Sequence, residues 1–129
     1  RKLDLPPGEY VVVGGGCLAI RGLRETRDLD IVALPPVFEM LRNQGWPLDP
    51  GYESKWNRRR LKRGDIEIYP DMYLERENTF VDTKELIDSA EIIHGIPFMR
   101  LETLRLFKLD AAREKDMQDV AMIDDFLRQ

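Results

Sequence analysis

The segment from Tyr10 to Val32, YVVVGGGCLAIRGLRETRDLDIV, constrains the fold of this chain more than any other. It opens with Val11–Val13, which favour a buried strand, and continues with Gly14–Gly16, which predict a tight turn at the end of that strand. We expect a short helix over Cys17–Gly22 after the turn. Backbone N–H groups in a glycine turn of this kind can approach an anion such as phosphate closely.

Two aspartates, Asp28 and Asp30, lie on the second apolar run of the same segment. In a β-strand, residues i and i+2 point to the same side, so both carboxylates project together while Leu29 and Ile31 face the core. Two neighbouring carboxylates repel each other unless a cation lies between them. Oxygen ligands suit magnesium or manganese, so this pair beside a phosphate-binding turn predicts a divalent ion that holds a nucleoside triphosphate.

This segment resembles the nucleotidyltransferase superfamily that includes DNA polymerase beta. The superfamily pattern is an apolar residue, Gly-Gly or Gly-Ser, a spacer of roughly a dozen residues and Asp-x-Asp. Val13, Gly14-Gly15 and Asp28-Leu29-Asp30 match that pattern. The run that ends at Asp30 is most similar to small bacterial nucleotidyltransferases related to AbiEii-type toxins. Gly16 departs from the pattern, because many relatives carry Ser, Thr or another side chain there, and it leaves phosphate contacts to the backbone.

A third carboxylate, which this family requires, is expected on a second β-like run, Gly64–Tyr69. Period-two alternation places Asp65 and Glu67 on one face of that strand. We favour Glu67, which lies centrally between two isoleucines, while Asp65 could equally belong to a hairpin turn. The resemblance implies that Asp28, Asp30 and Glu67 are catalytic and bind two Mg²⁺ or Mn²⁺ ions about 3.5–4 Å apart.

The resemblance also implies a reaction and a set of nucleotide-binding residues. The reaction transfers a nucleoside monophosphate from an NTP to a hydroxyl acceptor, which could be tRNA, a protein or a small molecule. Lys108 and Arg113 lie on a predicted helix from which a cation could reach the triphosphate, although such cations are more often solvated. Asp116 and Asp119, which follow, also suit the start of a helix. The implied nucleotide-binding residues are Gly14, Gly15, Gly16, Arg24, Thr26 and Lys108.

Two other interpretations belong to different classes. The first keeps the fold without activity, as a regulatory or partner-binding protein, whereas the active form could be a toxin paired with an antitoxin. The second is a dinucleotide-binding fold, because Gly14 to Ala19 satisfies a Gly-x-Gly-x-x-Ala fingerprint after a strand. That fold expects parallel βαβ units and one acidic residue on the ribose, so two aspartates on the next strand argue against it.

Composition is typical of a globular domain. The 129 residues predict a single domain, 1–129, which the resemblance implies is nucleotidyltransferase-like. A net charge of -4 with 34% charged residues argues against a disordered chain or a wholly basic nucleic-acid binder. Charge is concentrated locally in Arg58–Arg63, which contains five cations. A run of this kind is usually a solvated hairpin, but near an active site it could steer RNA or nucleotide phosphate.

Cysteine and hydropathy bear on the cellular compartment. The single cysteine, Cys17, rules out an internal disulfide and predicts a reducing, cytoplasmic location. The sequence shows neither an apolar run long enough to cross a bilayer nor a signal-peptide pattern, so we expect no membrane insertion. His94, the only histidine, lies in a predicted turn without a second histidine or a cysteine, which argues against zinc.

The proline and glycine breaks between the remaining apolar runs predict an α/β (α+β) fold, with a small mixed β-sheet flanked by helices. Besides the two strands already described, we expect a hairpin of small strands at Glu91–Ile93 and Ile96–Phe98. Tyr52–Arg60 and Asp65–Tyr69 are predicted to be neighbouring antiparallel strands. Helices are expected at Val37–Gln44, Thr83–Ser89, Leu101–Arg113 and Met117–Leu127.

Overall fold

Six helices and eight strands form the fold in a computed structural model that describes residues 4–129. Residues 1–3, which begin the predicted 1–129 domain, lie outside the described range. In chain order the elements are β1 (Tyr10–Val13), α1 (Gly15–Ile20), β2 (Leu29–Ala33), α2 (Pro35–Asn43), α3 (Pro50–Trp56), β3 (Leu61–Arg63), β4 (Ile66–Tyr69), β5 (Met72–Leu74), β6 (Thr79–Val81), α4 (Thr83–Asp88), β7 (Glu91–Ile93), β8 (Ile96–Phe98), α5 (Leu101–Ala111) and α6 (Glu114–Leu127).

A mixed sheet organises these elements. Its strand order is β3-β4-β2-β1-β8-β7, and β5 and β6 form a separate hairpin. β1 runs antiparallel to β2 and parallel to β8, while β2 runs parallel to β4. The predicted fold class, mixed α/β with a mixed sheet flanked by helices, is confirmed. No helix in the range 4–129 combines the length and the apolar character needed to cross a membrane.

The centre of the sheet is buried because β1 is wholly apolar and β2 is apolar over Ile31–Ala33. All four residues of β1 are buried, as are Ile31, Val32 and Ala33 of β2. A strand that is covered on both faces reads as a continuous apolar run, which is the pattern of the valines in β1. Helix α5 packs against α1 and α6, and α1 packs against β1 and β2.

Strand register brings three distant parts of the chain to one place. Val13, the last residue of β1, pairs with Asp30, and Asp30 pairs with Glu67 on the parallel neighbour β4. Lys62 of β3 then pairs with Glu67 across the antiparallel β3–β4 ladder. Side chains of directly opposed residues lie on the same face of a sheet, so this row aligns Asp30, Glu67 and Lys62.

The predicted strand Tyr52–Arg60 is wrong. Its first part is helix α3, because the Asp49 side chain caps the helix by accepting a hydrogen bond from the Tyr52 backbone N–H at 3.2 Å, and Pro50 follows at the first helical turn. An aspartate followed by proline is a helix-start signal, which the aromatic residues of this run obscured. Asn57 ends the helix in the left-handed conformation, with φ 56°.

Other differences are smaller. Helix α1 begins at Gly15, two residues before its predicted start, and the strand predicted from Asp28 begins at Leu29. Helix α6 begins at Glu114, where Arg113 and Asp116 form a reciprocal capping box. The β5–β6 hairpin was not predicted; the Tyr73 and Phe80 rings, 4.8 Å apart between centroids, pair across it. The β7–β8 hairpin, with His94 in its turn, agrees with the prediction.

Candidate functional site

The glycine turn after β1 packs directly against the side chains of Asp30 and Thr26. Gly14 has φ +68°, and a Cβ there would lie 2.9 Å from Oδ2 of Asp30. A Cβ on Gly15 would lie 2.7 Å from Oγ1 of Thr26. Both glycines are therefore required by close approach of the backbone to these side chains, and at Gly14 also by its backbone conformation. A Cβ on Gly16 would instead meet Val12 at 3.0 Å, so this glycine packs towards the core.

The two aspartates of the Asp-x-Asp motif have different environments. Asp28 is exposed and precedes β2, whereas Asp30 is half-buried within β2. Oδ1 of Asp30 is buried and has no hydrogen-bond partner among the described residues. Burial, a hydrogen bond with Glu67 and the nearby charges of Glu67 and Asp28 raise the pKa of Asp30 to about 7. A buried carboxylate oxygen that has no hydrogen-bond donor, and whose ionised form is disfavoured, is a candidate site for a cation.

Glu67 is already surrounded by donors. Its Oε1 accepts hydrogen bonds from Arg60 at 3.1 Å and from the Tyr69 hydroxyl at 3.0 Å, and its Oε2 accepts one from Lys62 at 2.8 Å. Burial alone would raise the pKa of Glu67, but the hydrogen bonds from Lys62, Asp30 and Tyr69 outweigh it and lower this pKa. The other candidate, Asp65, lies in the exposed turn between β3 and β4, which agrees with its interpretation as a hairpin-turn residue.

A cleft of about 480 Å³ opens beside the glycine turn, and we call it the glycine cleft. Most of the predicted site residues line it, although they come from three separate parts of the chain. Neither Gly16 nor Glu67 is among its lining residues. The predicted residues that do line it are Gly14, Gly15, Arg24, Thr26, Asp28, Asp30 and Lys108.

Two buried carboxylates on α6 hold the cations of the glycine cleft. Asp119 accepts two hydrogen bonds from Arg24, both at 3.0 Å, and lies 2.9 Å from Nζ of Lys108. Asp116, which is fully buried, lies 2.7 Å from Nε of Arg113 and 3.5 Å from Nζ of Lys108. Three cations thus share two carboxylates, and all three cations line the glycine cleft.

The sequence interpretation of these carboxylates was incomplete. Asp116 does cap α6, as expected, but Asp119 lies inside the helix and its role in holding Arg24 was missed. The sequence spacing could have indicated this role. One buried face of the helix carries Asp116, Asp119, Val120 and Ile123. An unpaired charge on such a face is costly, so each aspartate is expected to have a cationic partner.

A second cavity of about 250 Å³ adjoins the glycine cleft, and we call it the aromatic cavity. Gly14, Asp30, Lys108 and Arg113 line both, so Asp30 lies at their junction. The far end is lined by aromatic and apolar side chains, with a few polar groups among them. Burial raises the pKa of Asp71 there, against the opposing charge of Arg58. The lining residues that matter here are Tyr52, Arg58, Tyr69, Asp71, Tyr73 and Phe107.

The basic run Arg58–Arg63 is largely neutralised within the fold. Arg58 lies 4.7 Å from the Tyr73 ring centroid and pairs with Glu75, and Arg59 pairs with Glu39 at 2.8 Å. Arg63 stacks on the Trp46 ring. Cations engaged in this way contribute less to long-range steering, so RNA contact through this run stays a prediction.

The donor set fits a divalent ion at Asp28 and Asp30 but not at Glu67. Magnesium is commonly held by one or two carboxylates together with substrate phosphate oxygens, which matches an exposed Asp28 and an orphaned Asp30 oxygen. Glu67 has both oxygens occupied by side-chain donors. Within residues 4–129, no group of three or more acidic, histidine or cysteine side chains has the geometry to hold a metal ion.

Comparison of the chain with protein-family models, with curated proteins and with solved structures gives no match.

Proposed function

We propose that this protein is a metal-dependent nucleotidyltransferase, which moves a nucleoside monophosphate from an NTP to a hydroxyl acceptor and releases pyrophosphate. One observation carries the proposal: the glycine turn, the Asp-x-Asp motif and the distant Lys108 line the same cleft. The Asp-x-Asp motif by itself is short. A triphosphate site also requires a basic group close to the carboxylates, and Lys108 of α5 lies in the same cleft.

Each group of residues has a role in this reaction. Asp28 and Asp30 would hold Mg²⁺ or Mn²⁺, which neutralises charge on the phosphates and polarises the phosphorus under attack. The backbone of the glycine turn, which lines the glycine cleft at Gly14 and Gly15, would bind a phosphate group. Lys108 and Arg113 line the cleft as charged donors, with their ammonium and guanidinium groups held in place by Asp116 and Asp119.

The arrangement of the two cavities supports one orientation of the bound nucleotide. With the reacting phosphate at Asp30, the glycine cleft suits the β- and γ-phosphates, because its cations are concentrated there. The aromatic cavity on the other side of Asp30 suits a flat, partly apolar group such as a nucleobase or an acceptor ring. A tRNA, protein or small-molecule acceptor, an antitoxin partner and a cytoplasmic location remain parts of the proposal.

Titration calorimetry tests the proposal without knowledge of the acceptor. The four NTPs are titrated into the wild type and Asp30→Asn, each with and without Mg²⁺. We expect Mg²⁺-dependent binding of at least one NTP, lost in Asp30→Asn. Asp65→Asn, which alters an exposed turn outside both cavities, is the matched control and should bind as the wild type does.

Two results of this titration would contradict the proposal. If no NTP binds to the folded protein in any condition, the transferase proposal is wrong and the non-catalytic, partner-binding alternative is favoured. Retention of full Mg²⁺-dependent binding in Asp30→Asn would contradict the assignment of the metal to the Asp-x-Asp motif.

A further inference from the structure

Glu67 lies where the third metal ligand is expected, but its carboxylate is already neutralised. The side chain is only 13% exposed, and Arg60, Tyr69 and Lys62 together occupy both of its oxygens. A carboxylate that accepts hydrogen bonds from two cations gains little from an additional ion, since the attraction is already satisfied.

Arg60 is held firmly in this position. Its guanidinium donates to Oδ2 of Asp49 at 2.8 Å and lies 4.4 Å from the Tyr52 ring centroid. The same guanidinium bonds the Tyr69 hydroxyl at 2.9 Å. Asp49 is itself fixed as the cap of α3, so displacing Arg60 would leave several half-buried polar groups without partners.

Lys62 is placed by strand register. It is the direct partner of Glu67 in the β3–β4 ladder, so the ammonium group and the carboxylate project from the same face. Its side chain is 42% exposed and is free of other pairings among the described residues. Arg60 and Lys62 therefore contribute two positive charges beside Glu67, and a divalent cation approaching that carboxylate would be repelled by both.

We infer that this site binds one divalent ion, at Asp28 and Asp30. Arg60 and Lys62 supply beside Glu67 the positive charge that a second ion would otherwise supply. Glu67 is then a positioning residue, which fixes the two side-chain cations next to Asp30. The inference rests on the proposed function and departs from the two-ion expectation of the sequence analysis. It also explains why the three carboxylates do not form one metal-binding group in the described part of the chain.

Counting bound Mn²⁺ tests the inference independently of activity. Mn²⁺ is added with the α,β-methylene analogues of the four NTPs, which cannot be cleaved, and the ions bound per chain are measured by equilibrium dialysis. Electron paramagnetic resonance then reports whether two ions lie close together, since ions about 3.5–4 Å apart are magnetically coupled. We expect one ion per chain, with no coupled signal.

Variants separate the role of the side-chain cations from other causes. Lys62→Met removes one of them from an exposed position, and we expect it to bind a second, coupled Mn²⁺ through Glu67. Lys62→Arg should remain at one ion. Lys84→Met is the matched control, because it breaks a lysine–carboxylate pair of similar length, 2.7 Å, on exposed α4; it should also remain at one ion.

The outcomes distinguish the two proposals. Two coupled ions in the wild type would overturn the inference and leave the nucleotidyltransferase proposal standing. No bound Mn²⁺ with any analogue would overturn both. A single ion in Lys62→Met would show that Lys62 does not exclude the second ion, and the inference would be wrong.

Discussion

Asp30 of β2 and Glu67 of β4 are direct partners across a parallel strand pair, so their carboxyl groups lie on the same face of the sheet. The two residues have opposite electrostatic environments. Arg60 and Lys62 surround Glu67, whereas Oδ1 of Asp30 is buried without a donor among the described residues. Burial and the charges of Glu67 and Asp28 raise the pKa of Asp30 to about 7, whereas the hydrogen bonds from Lys62 and Tyr69 lower the pKa of Glu67 despite its burial.

This pair predicts a pH-dependent stability in the absence of metal. The pKa of Asp30 rises from 3.8 to about 7 on folding, so the folded state favours the protonated form. Stability from this group is highest below pH 3.8 and falls as the pH rises towards about 7. Asp30→Asn mimics the protonated form, so its melting temperature in EDTA should exceed that of the wild type at pH 8.

The difference should shrink as the pH falls through 7 towards 4, and thermal unfolding by circular dichroism at several pH values measures it. Asp65→Asn is the control, since that exposed side chain should leave the pH profile unchanged. A constant difference between Asp30→Asn and the wild type across this range would contradict the assigned pKa of Asp30.

Gly14→Ala should weaken both stability and Mg²⁺-dependent nucleotide binding. The new Cβ would lie 2.9 Å from Oδ2 of Asp30, and the backbone has φ 68° and ψ -145°, a region that is essentially restricted to glycine. Gly22→Ala isolates the backbone part, because Gly22 also has positive φ but nothing lies within 4 Å of its Cβ position. We expect Gly22→Ala to cost about 1–2 kcal/mol and to leave binding intact.

Urea unfolding and calorimetry compare the two glycine variants. A loss of nucleotide binding in Gly14→Ala at a temperature where the protein remains folded would support the contact with Asp30. Equal effects of both variants on stability and binding would contradict it, because backbone strain alone would then be sufficient.

Asp119→Asn should destabilise the fold. Asp119 is buried and joins Arg24, near the glycine turn, to α6 and Lys108, so loss of its charge leaves Arg24 without its carboxylate partner and Lys108 with only the longer contact to Asp116. The expected cost is about 2–3 kcal/mol, measured by urea unfolding. Asp124→Asn, on the same helix, breaks an exposed pair with Arg105 and should leave the unfolding midpoint nearly unchanged. Similar effects of the two variants would argue against a special role for Asp119.

Lys108→Met should weaken NTP binding while metal binding by the protein alone persists. Lys108 lines both the glycine cleft and the aromatic cavity, and the methionine keeps most of the side-chain volume without the charge. We expect roughly a tenfold rise in Kd, the loss of about one charge-assisted hydrogen bond. Calorimetry with the NTP and Mn²⁺ titration without it provide the two readouts. Unchanged NTP affinity would place Lys108 outside the binding groups.

Local sequence determined much of the fold around the site. Val11–Val13 and Leu29–Ala33 formed strands, and Gly14 formed the turn, because β-branched runs and a positive-φ glycine have few other conformations. Glu67 was preferred over Asp65 because it lies centrally between two isoleucines, and the structure places Asp65 in a turn. The strand predicted from Tyr52 failed because the Asp49-Pro50 helix start outweighed the β-propensity of the aromatic residues that follow.

Tertiary structure alone decided how these parts act on one another. The sequence by itself determined that Gly14, Asp28 and Asp30 lie close together, since a turn and the next strand are local. The register that sets Glu67 beside Asp30, the pairing of Arg60 and Lys62 with Glu67, and the contact between Arg24 and Asp119 join residues far apart in the chain. Electrostatic interactions depend on distance and burial in space, and no local pattern encodes either.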